Sequence, residues 1–196
     1  MRLFIAVDLS NEVRRAVADT IRLLSGRLPS TSWTHRIRWV PTQNLHLTMS
    51  FLGHVDEDLA VAVSHTLAEP LTATEFRVSI FGAGTFPCDG LPRIIWLGVG
   101  SGRAQLVALR NEIEDRLKPL GFDVDAHEYS AHLSLGRVKV RSGRAERLIR
   151  QLLVSASVAI ESWSVDHITL YKSEPLHGRL TYLPLVCTRL TKVLRV

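Results

Sequence analysis

The sequence has few cysteines and no long apolar run. Its 196 residues include two cysteines, Cys88 and Cys187, which form no CxxC pair, so neither a disulfide scaffold nor a thiolate metal site is indicated. The apolar opening run is interrupted by Asp8 and is too short for a signal peptide. No stretch approaches the roughly 20 apolar residues of a membrane span. We therefore expect a cytoplasmic protein with no membrane association.

What the sequence does contain is an ordinary hydrophobic content of 46% and a formal net charge of +5. A chain of this length suits one large domain or two small lobes that share an interface. The basic balance favours an anionic partner such as a phosphate or a nucleic acid, although the charge alone is a weak signal. Nothing in the sequence points to a partner protein, and we expect a monomer.

Two short stretches are nearly the same motif, HLTM beginning at His46 and HLSL beginning at His132. Side chains on a strand alternate between its faces. Thr48 therefore shares a face with His46, and Ser134 shares a face with His132, while the apolar residues of each motif face the core. The pattern predicts two imidazoles on an open surface, each beside a hydroxyl.

The same alternation makes predictions for two residues that follow the motifs. It places Phe51 on the core face with Leu47 and Met49, and Arg137 on the face away from His132. A bulge at Gly136 would turn Arg137 towards the histidine.

The order of predicted elements repeats. Strand, helix, histidine strand, helix and strand describes residues 3–81 and again residues 93–171. We expect a single bilobal domain over residues 1–196, built from two pseudo-equivalent halves at about 1–85 and 91–175 with a C-terminal strand. Such an arrangement would bring the two histidine strands face to face across a cleft.

Two histidines and two hydroxyls fit acid/base chemistry on a phosphodiester. Hydrolysis needs one group to deprotonate water and another to protonate the leaving oxygen, and imidazole, with an ordinary pKa of about 6.5, can do either near neutral pH. The hydroxyls could donate to the non-bridging phosphate oxygens. A metal site at Asp123, Asp125 and His127 is the alternative, but two carboxylates and one histidine in a loop are too generic to favour it.

The motifs also resemble a known family. Beyond the two histidine motifs, the chain carries RLFIAVD at 2–8, WVPTQNL at 39–45, WLGV at 96–99 and LYKS at 170–173. In these features, which span nearly the whole chain, it resembles the two-histidine phosphoesterase superfamily. Within that superfamily it resembles the RNA 2′,3′-cyclic phosphodiesterases, which are also called 2′-5′ RNA ligases.

The resemblance implies an α+β fold in which two antiparallel sheets flank a central cleft and the helices lie outside. It implies opening of RNA-terminal 2′,3′-cyclic phosphates, or of cyclic nucleotides, to 2′-phosphates without a metal or another cofactor. By the family pattern His46 is the proton donor and His132 the proton acceptor, and Arg137 clamps the phosphate. The same pair running in reverse would ligate RNA, as a secondary activity.

Several assignments stay open at the level of sequence. Phe51 and Tyr171 could stack on a base or belong to the core. The chain departs from the family pattern with Ser134 for threonine, Ala131 for proline and Ser50 for lysine, which bears on affinity and substrate range. A non-catalytic RNA-binding module that retains the cleft is the alternative function. The arginines that could contact RNA phosphates, or be solvated surface, are Arg36, Arg38, Arg141 and Arg144.

Overall fold

The computed structural model describes residues 1–29, 37–122, 129–139, 143–155, 158–176 and 179–192. Within these ranges the α-helices are α1 (Asn11–Arg27), α2 (Glu57–Ala68), α3 (Arg103–Leu117) and α4 (Gly143–Ser155). The strands are β1 (Arg2–Asp8), β2 (Ile37–Trp39), β3 (His46–His54), β4 (Phe76–Phe86), β5 (Ile94–Val99), β6 (His132–Val138), β7 (Ala159–Val165), β8 (His167–Leu176) and β9 (Arg179–Arg189).

The named strands form one antiparallel path in the order β7-β4-β5-β6-β3-β1-β8-β9, and β2 pairs with β6 on the same edge as β3, opposite β5. Leu47 of β3 and Leu133 of β6 join the two four-stranded half-sheets. The expected α+β fold with two antiparallel sheets is thereby confirmed. The two sheets also meet, along the two histidine strands.

Local sequence signals explain where the helices begin and which side they bury. The Ser10 hydroxyl accepts a hydrogen bond from the Val13 N–H, and the Asp56 carboxylate accepts one from the Leu59 N–H, so both act as N-caps. The apolar stripes of α1 and α3 pack into one core together with the leucines of the histidine motifs. The helices therefore cover the face of the sheet opposite the histidines.

The strand boundaries differ from the expected ones in two places. The sequence pattern predicts a strand over residues 76–81, whereas β4 continues to Phe86 because it pairs with both β5 and β7. The pattern also predicts one strand over residues 165–171, but this segment is the end of β7 and the start of β8, which are separated by Asp166. Strand β7 pairs with β4, whereas β8 pairs with β1 on the other half-sheet. Alternating apolar residues cannot reveal that the chain changes partner strands.

Candidate active site

The two histidines lie on neighbouring strands, where Leu47 pairs with Leu133. Both leucines are fully buried, whereas His46 and His132 are partly exposed. The expected alternation within the motifs is therefore present. Because β3 and β6 are antiparallel, Ser134 lies across from His46 and Thr48 lies across from His132.

Each imidazole is anchored in the same way. His46 Nδ1 lies 2.8 Å from the carbonyl oxygen of Asn44, and His132 Nδ1 lies 2.7 Å from the carbonyl oxygen of Ser130. A carbonyl can only accept, so each Nδ1 carries a proton and donates it. The other ring nitrogen, Nε2, is then the atom that can exchange a proton with a substrate.

The hydroxyl of the first motif contacts its histidine directly. Thr48 Oγ1 lies 3.0 Å from His46 Nε2. Because a hydroxyl both donates and accepts, this contact is compatible with either protonation state of the imidazole. Each of the two neighbouring strands therefore carries an imidazole and a hydroxyl residue on its partly exposed face.

The surroundings of the two rings differ. His46 packs against Phe4, with ring centroids 4.9 Å apart, and against the edge of Tyr182 at 5.3 Å. His132 meets one ring edge-on, Phe86, at 4.9 Å. Burial lowers the pKa of His46, while the Asn44 carbonyl and the nearby charge of Asp8 act to raise it. The net effect is a lowered pKa, which favours the neutral imidazole.

A β-bulge lies at the last residue of each motif. In the β1–β3 pairing Ser50 and Thr48 have partners and Met49 is left over, and in the β5–β6 pairing Gly136 and Ser134 have partners and Leu135 is left over. An extra residue reverses the alternation of every side chain that follows.

The bulges decide where Phe51 and Arg137 point. The expectation that Phe51 belongs to the core face is wrong: its side chain is 74% exposed, and its ring lies 6.3 Å from that of Phe4, which touches His46. Arg137 is exposed, and its charge acts on Tyr182, which contacts His46. The bulge that turns Arg137 is at Leu135, one residue before the expected Gly136.

Tyr171 lies in the wall of the cleft and is half-buried. Its ring stacks on Phe4 with centroids 5.3 Å apart, and its hydroxyl donates to Asp8 Oδ1 at 2.8 Å. Burial and the neighbouring carboxylate raise the pKa of Tyr171, so its hydroxyl remains protonated. A small cavity opens here beside His46, lined by Asp8, Gln43, Asn44, Leu45, His46, Tyr171, Tyr182 and Pro184.

Two residues that the sequence reasoning missed hold the first motif in place. Arg14 of α1 donates to the carbonyl oxygens of Thr42 and Leu45 at 3.0 and 2.9 Å, which fixes the 3-10 turn that carries Asn44. The Tyr129 hydroxyl donates to the carbonyl oxygen of Thr48 at 2.9 Å. Neither contact could be predicted from sequence spacing, because both join residues that are distant in sequence.

A buried ion pair supports Tyr129 from the helix side. Arg110 Nε lies 2.6 Å from Glu114 Oε1, and the Arg110 guanidinium sits 4.9 Å from the centre of the Tyr129 ring. Burial raises the pKa of Tyr129 to about 12, against the opposing charge of Arg110. The phenol is therefore a permanent donor near neutral pH.

Several expectations fall on residues that the structure does not describe. Within the described ranges, no group of three or more histidine, cysteine, aspartate or glutamate side chains could hold a metal ion. No α-helix in those ranges has the length and hydropathy of a membrane span. The sequence candidates outside the described residues are Arg36, Asp123, Asp125, His127 and Arg141.

Comparison with known proteins agrees with this geometry. A family model described as the 2'-5' RNA ligase superfamily matches residues 10–175. A protein of Archaeoglobus fulgidus named RNA 2',3'-cyclic phosphodiesterase is 36% identical over 151 residues, which cover 77% of this chain and 80% of the relative. A protein of the same name from Thermotoga maritima is 30% identical over 179 residues, covering 90% and 91% of the two chains.

Solved structures show the same architecture. The crystal structure of E. coli LigT complexed with 3'-AMP matches with a TM-score of 0.74 and 25% identity, covering 97% of this chain and 98% of LigT. The family model spans most of the chain and includes both histidine motifs. The chain therefore belongs to the 2'-5' RNA ligase superfamily.

Proposed function

We propose that this protein is a hydrolase that opens RNA-terminal 2′,3′-cyclic phosphates to 2′-phosphates. The observation that carries the proposal is the matched pair of imidazoles on β3 and β6, each anchored through Nδ1 to a backbone carbonyl. The names of the relatives in Archaeoglobus fulgidus and Thermotoga maritima support the same reaction.

In the proposed mechanism His132 accepts a proton from water, whose oxygen bonds to phosphorus, and His46 donates a proton to the departing 3′ oxygen. The bond that breaks is the one between phosphorus and the 3′ oxygen, and the 2′-phosphate remains. Thr48 and Ser134 hold the non-bridging oxygens, whose charge grows in the transition state. Burial lowers the pKa of His46, and a bound phosphodiester anion opposes that effect.

Substrate binding is proposed to use a pair of arginines and the aromatic side chains of the cleft. Arg137 pairs across strands with Arg38, and both side chains are exposed. Two like charges directly opposite each other are unfavourable unless an anion lies between them, which supports a role in contacting RNA phosphates. Phe51 and Tyr171 are proposed to contact a base by stacking.

The proposed reaction needs no metal or other cofactor, because the cyclic phosphate is strained and imidazoles transfer both protons. Reverse ligation of a cyclic phosphate to a 5′-hydroxyl is proposed as a secondary activity. We further propose a cytoplasmic monomer, in keeping with the two free and exposed thiols of Cys88 and Cys187.

The test is product analysis of a short RNA that ends in a 2′,3′-cyclic phosphate, incubated with the protein and excess chelator between about pH 5 and 9. We expect a 2′-phosphate product that is lost in His46→Ala and in His132→Ala. His65→Ala, at an exposed position on α2, is the matched control and should keep full activity. RNA binding without turnover in the wild-type protein would instead favour a non-catalytic RNA-binding module.

A further inference from the structure

A carboxylate lies beside His46, at the end of strand β1, whose residues 3–7 are all apolar. Asp8 pairs with His46 in the β1–β3 register, and both residues line the small cavity of the cleft. Side chains of directly opposed residues in an antiparallel pair lie about 5 Å apart at Cβ. The mechanism proposed above gives this carboxylate no role.

Asp8 is fixed in place and kept ionised. Its Oδ1 accepts a hydrogen bond from the Tyr171 hydroxyl, and its Oδ2 accepts one from the Thr169 hydroxyl, both at 2.8 Å. Burial acts to raise the pKa of Asp8, but the hydrogen bonds from His167, Thr169 and Tyr171 outweigh it, and the pKa is lowered. A negative charge is therefore held next to His46.

His167 stands on the far side of Asp8 with a carboxylate at each ring nitrogen. Its Nε2 lies 3.4 Å from Asp8 Oδ2, and its Nδ1 lies 2.6 Å from Asp166 Oδ1. Two acceptors on the two ring nitrogens favour the doubly protonated imidazolium. The hydrogen bond to Asp8, followed by the contact with Asp166, raises the pKa of His167 to about 8.

We propose that Asp8 is a positioning residue for His46. In this proposal the imidazolium of His167 partly offsets the negative charge of Asp8 and so sets how strongly that charge acts on His46. This inference rests on the proposed function for its catalytic meaning, but the coupling between the three side chains can be measured without turnover. Asp8 acts through His46 and contacts no reacting atom in the mechanism above.

The other charged and titratable groups around this chain of contacts come from several elements. Arg14 and His132 act on His46 in the opposite sense to Asp8. Arg189 of β9 lies 3.8 Å from Asp166 Oδ2, at the far end of the chain of contacts. Tyr171 and Tyr182 face the same cavity and stay neutral, because burial raises the pKa of each. Asp8 is thus the carboxylate that lines the cavity beside His46.

The test uses two substitutions with opposite expected signs. Asp8→Asn removes the negative charge, so His46 should titrate at lower pH. His167→Gln keeps a donor for Asp8 but removes the positive charge, so His46 should titrate at higher pH. Each shift should amount to several tenths of a pH unit, measured by NMR titration of the His46 ring in the intact protein. Asp115→Asn and His65→Gln, at exposed positions on α3 and α2, are the matched controls and should leave the titration unchanged.

The pH profile of kcat/KM provides a second test of the effect on His46. The limb that reports His46 should move down in Asp8→Asn and up in His167→Gln. Movement of the alkaline limb identifies His46 as the proton donor, and movement of the acid limb identifies it as the acceptor.

Shifts of the same sign in both variants, or a loss of kcat with no shift in titration, would overturn the inference. If Asp8→Asn does not fold, the sign of the shift in His167→Gln decides alone. Absence of turnover in the wild-type protein would reject the proposed function, while the NMR titration would still decide the coupling.

Discussion

The two cleft histidines share an anchor but not an environment. Both donate Nδ1–H to the carbonyl two residues before them, yet His46 packs between Phe4 and Tyr182, whereas His132 meets only the edge of Phe86 among the described aromatic rings. Burial lowers the pKa of His46. Two nearly identical motifs in the sequence could not reveal this difference, because it arises from aromatic residues on other strands.

At Thr48 we expect the hydroxyl, rather than the shape of the side chain, to matter. Thr48→Val keeps the branched shape but removes the oxygen that lies 3.0 Å from His46 Nε2. We predict a fall in kcat of about 100- to 1,000-fold, the range for loss of one transition-state donor. Thr48→Ser should stay within a few-fold of the wild type. Steady-state kinetics on a cyclic nucleotide measures both, and an unchanged Thr48→Val would exclude the role.

His167 should link stability to pH. Its folded-state pKa is raised from 6.5 to about 8, so protonation favours the folded protein. This contribution, about 1–2 kcal/mol, is fully present below about pH 6.5 and is lost as the pH rises through about 8. Thermal melts of the wild type against His167→Gln should show a stability difference that shrinks across this window. A difference that is constant over the window would contradict the linkage.

At the scale of elements, the bulges at the ends of the two motifs separate what could be predicted from what could not. Alternation correctly gave the faces of the residues up to Met49 and Leu135, because the pairing is first interrupted at those two residues. It failed at Phe51, since Met49 is an extra residue in the pairing with β1. A bulge is a property of two paired strands, so one strand's sequence does not disclose it.

The 3-10 turn before β3 should depend on Arg14. Its guanidinium binds the carbonyl oxygens of Thr42 and Leu45, and the turn supplies the Asn44 carbonyl that orients His46. We expect Arg14→Ala to lower kcat by about 10-fold through misplacement of the imidazole. Arg15→Ala is the matched control on the same helix, because Arg15 forms only exposed contacts with Asn11 and Glu12 among the described residues. Equal losses in both variants would assign the effect to α1 as a whole.

Removing only one partner of the buried ion pair of α3 should strongly destabilise the folded protein. Arg110→Met leaves the Glu114 carboxylate buried without its partner, which typically costs about 3–5 kcal/mol. The double variant Arg110→Met/Glu114→Leu should recover most of that loss, since an apolar pair of similar size replaces both charges. Urea unfolding of both variants measures the difference. A double variant no more stable than the single one would refute this account.

At the scale of the whole molecule, the sheet order is symmetric about its joint. Counted outward from the joint, one half-sheet reads β3, β1, β8, β9 and the other reads β6, β5, β4, β7. We propose that residues 1–85 and 91–175 are pseudo-equivalent halves of one bilobal domain that exchange a strand. The repeated order of elements was visible in the sequence. The exchange was not, because local patterns carry no information about which half-sheet a strand joins.

The net charge of +5 and the exposed pair of Arg38 and Arg137 should make RNA binding sensitive to salt. Each phosphate contact releases counterions, so affinity falls as salt rises. We predict that KM for an oligonucleotide with a cyclic end rises several-fold between about 50 and 200 mM salt, the range over which such contacts weaken. A cyclic mononucleotide should respond much less. Kinetics with both substrates decides, and equal responses would argue against RNA contacts outside the reacting phosphate.

The exchanged strands have a consequence for how the chain reaches its native state. Strand β1 needs β8 as a neighbour, so Phe4 cannot meet Tyr171 until most of the polypeptide is available. Loop closure over such separations is slow, and an open strand edge invites wrong partners in the meantime. During synthesis the first half-sheet would stay incomplete until β8 emerges from the ribosome. A circular permutant that links the natural termini and begins at β8, so that β8 and β9 precede β1 in the chain, should therefore fold faster than the natural order.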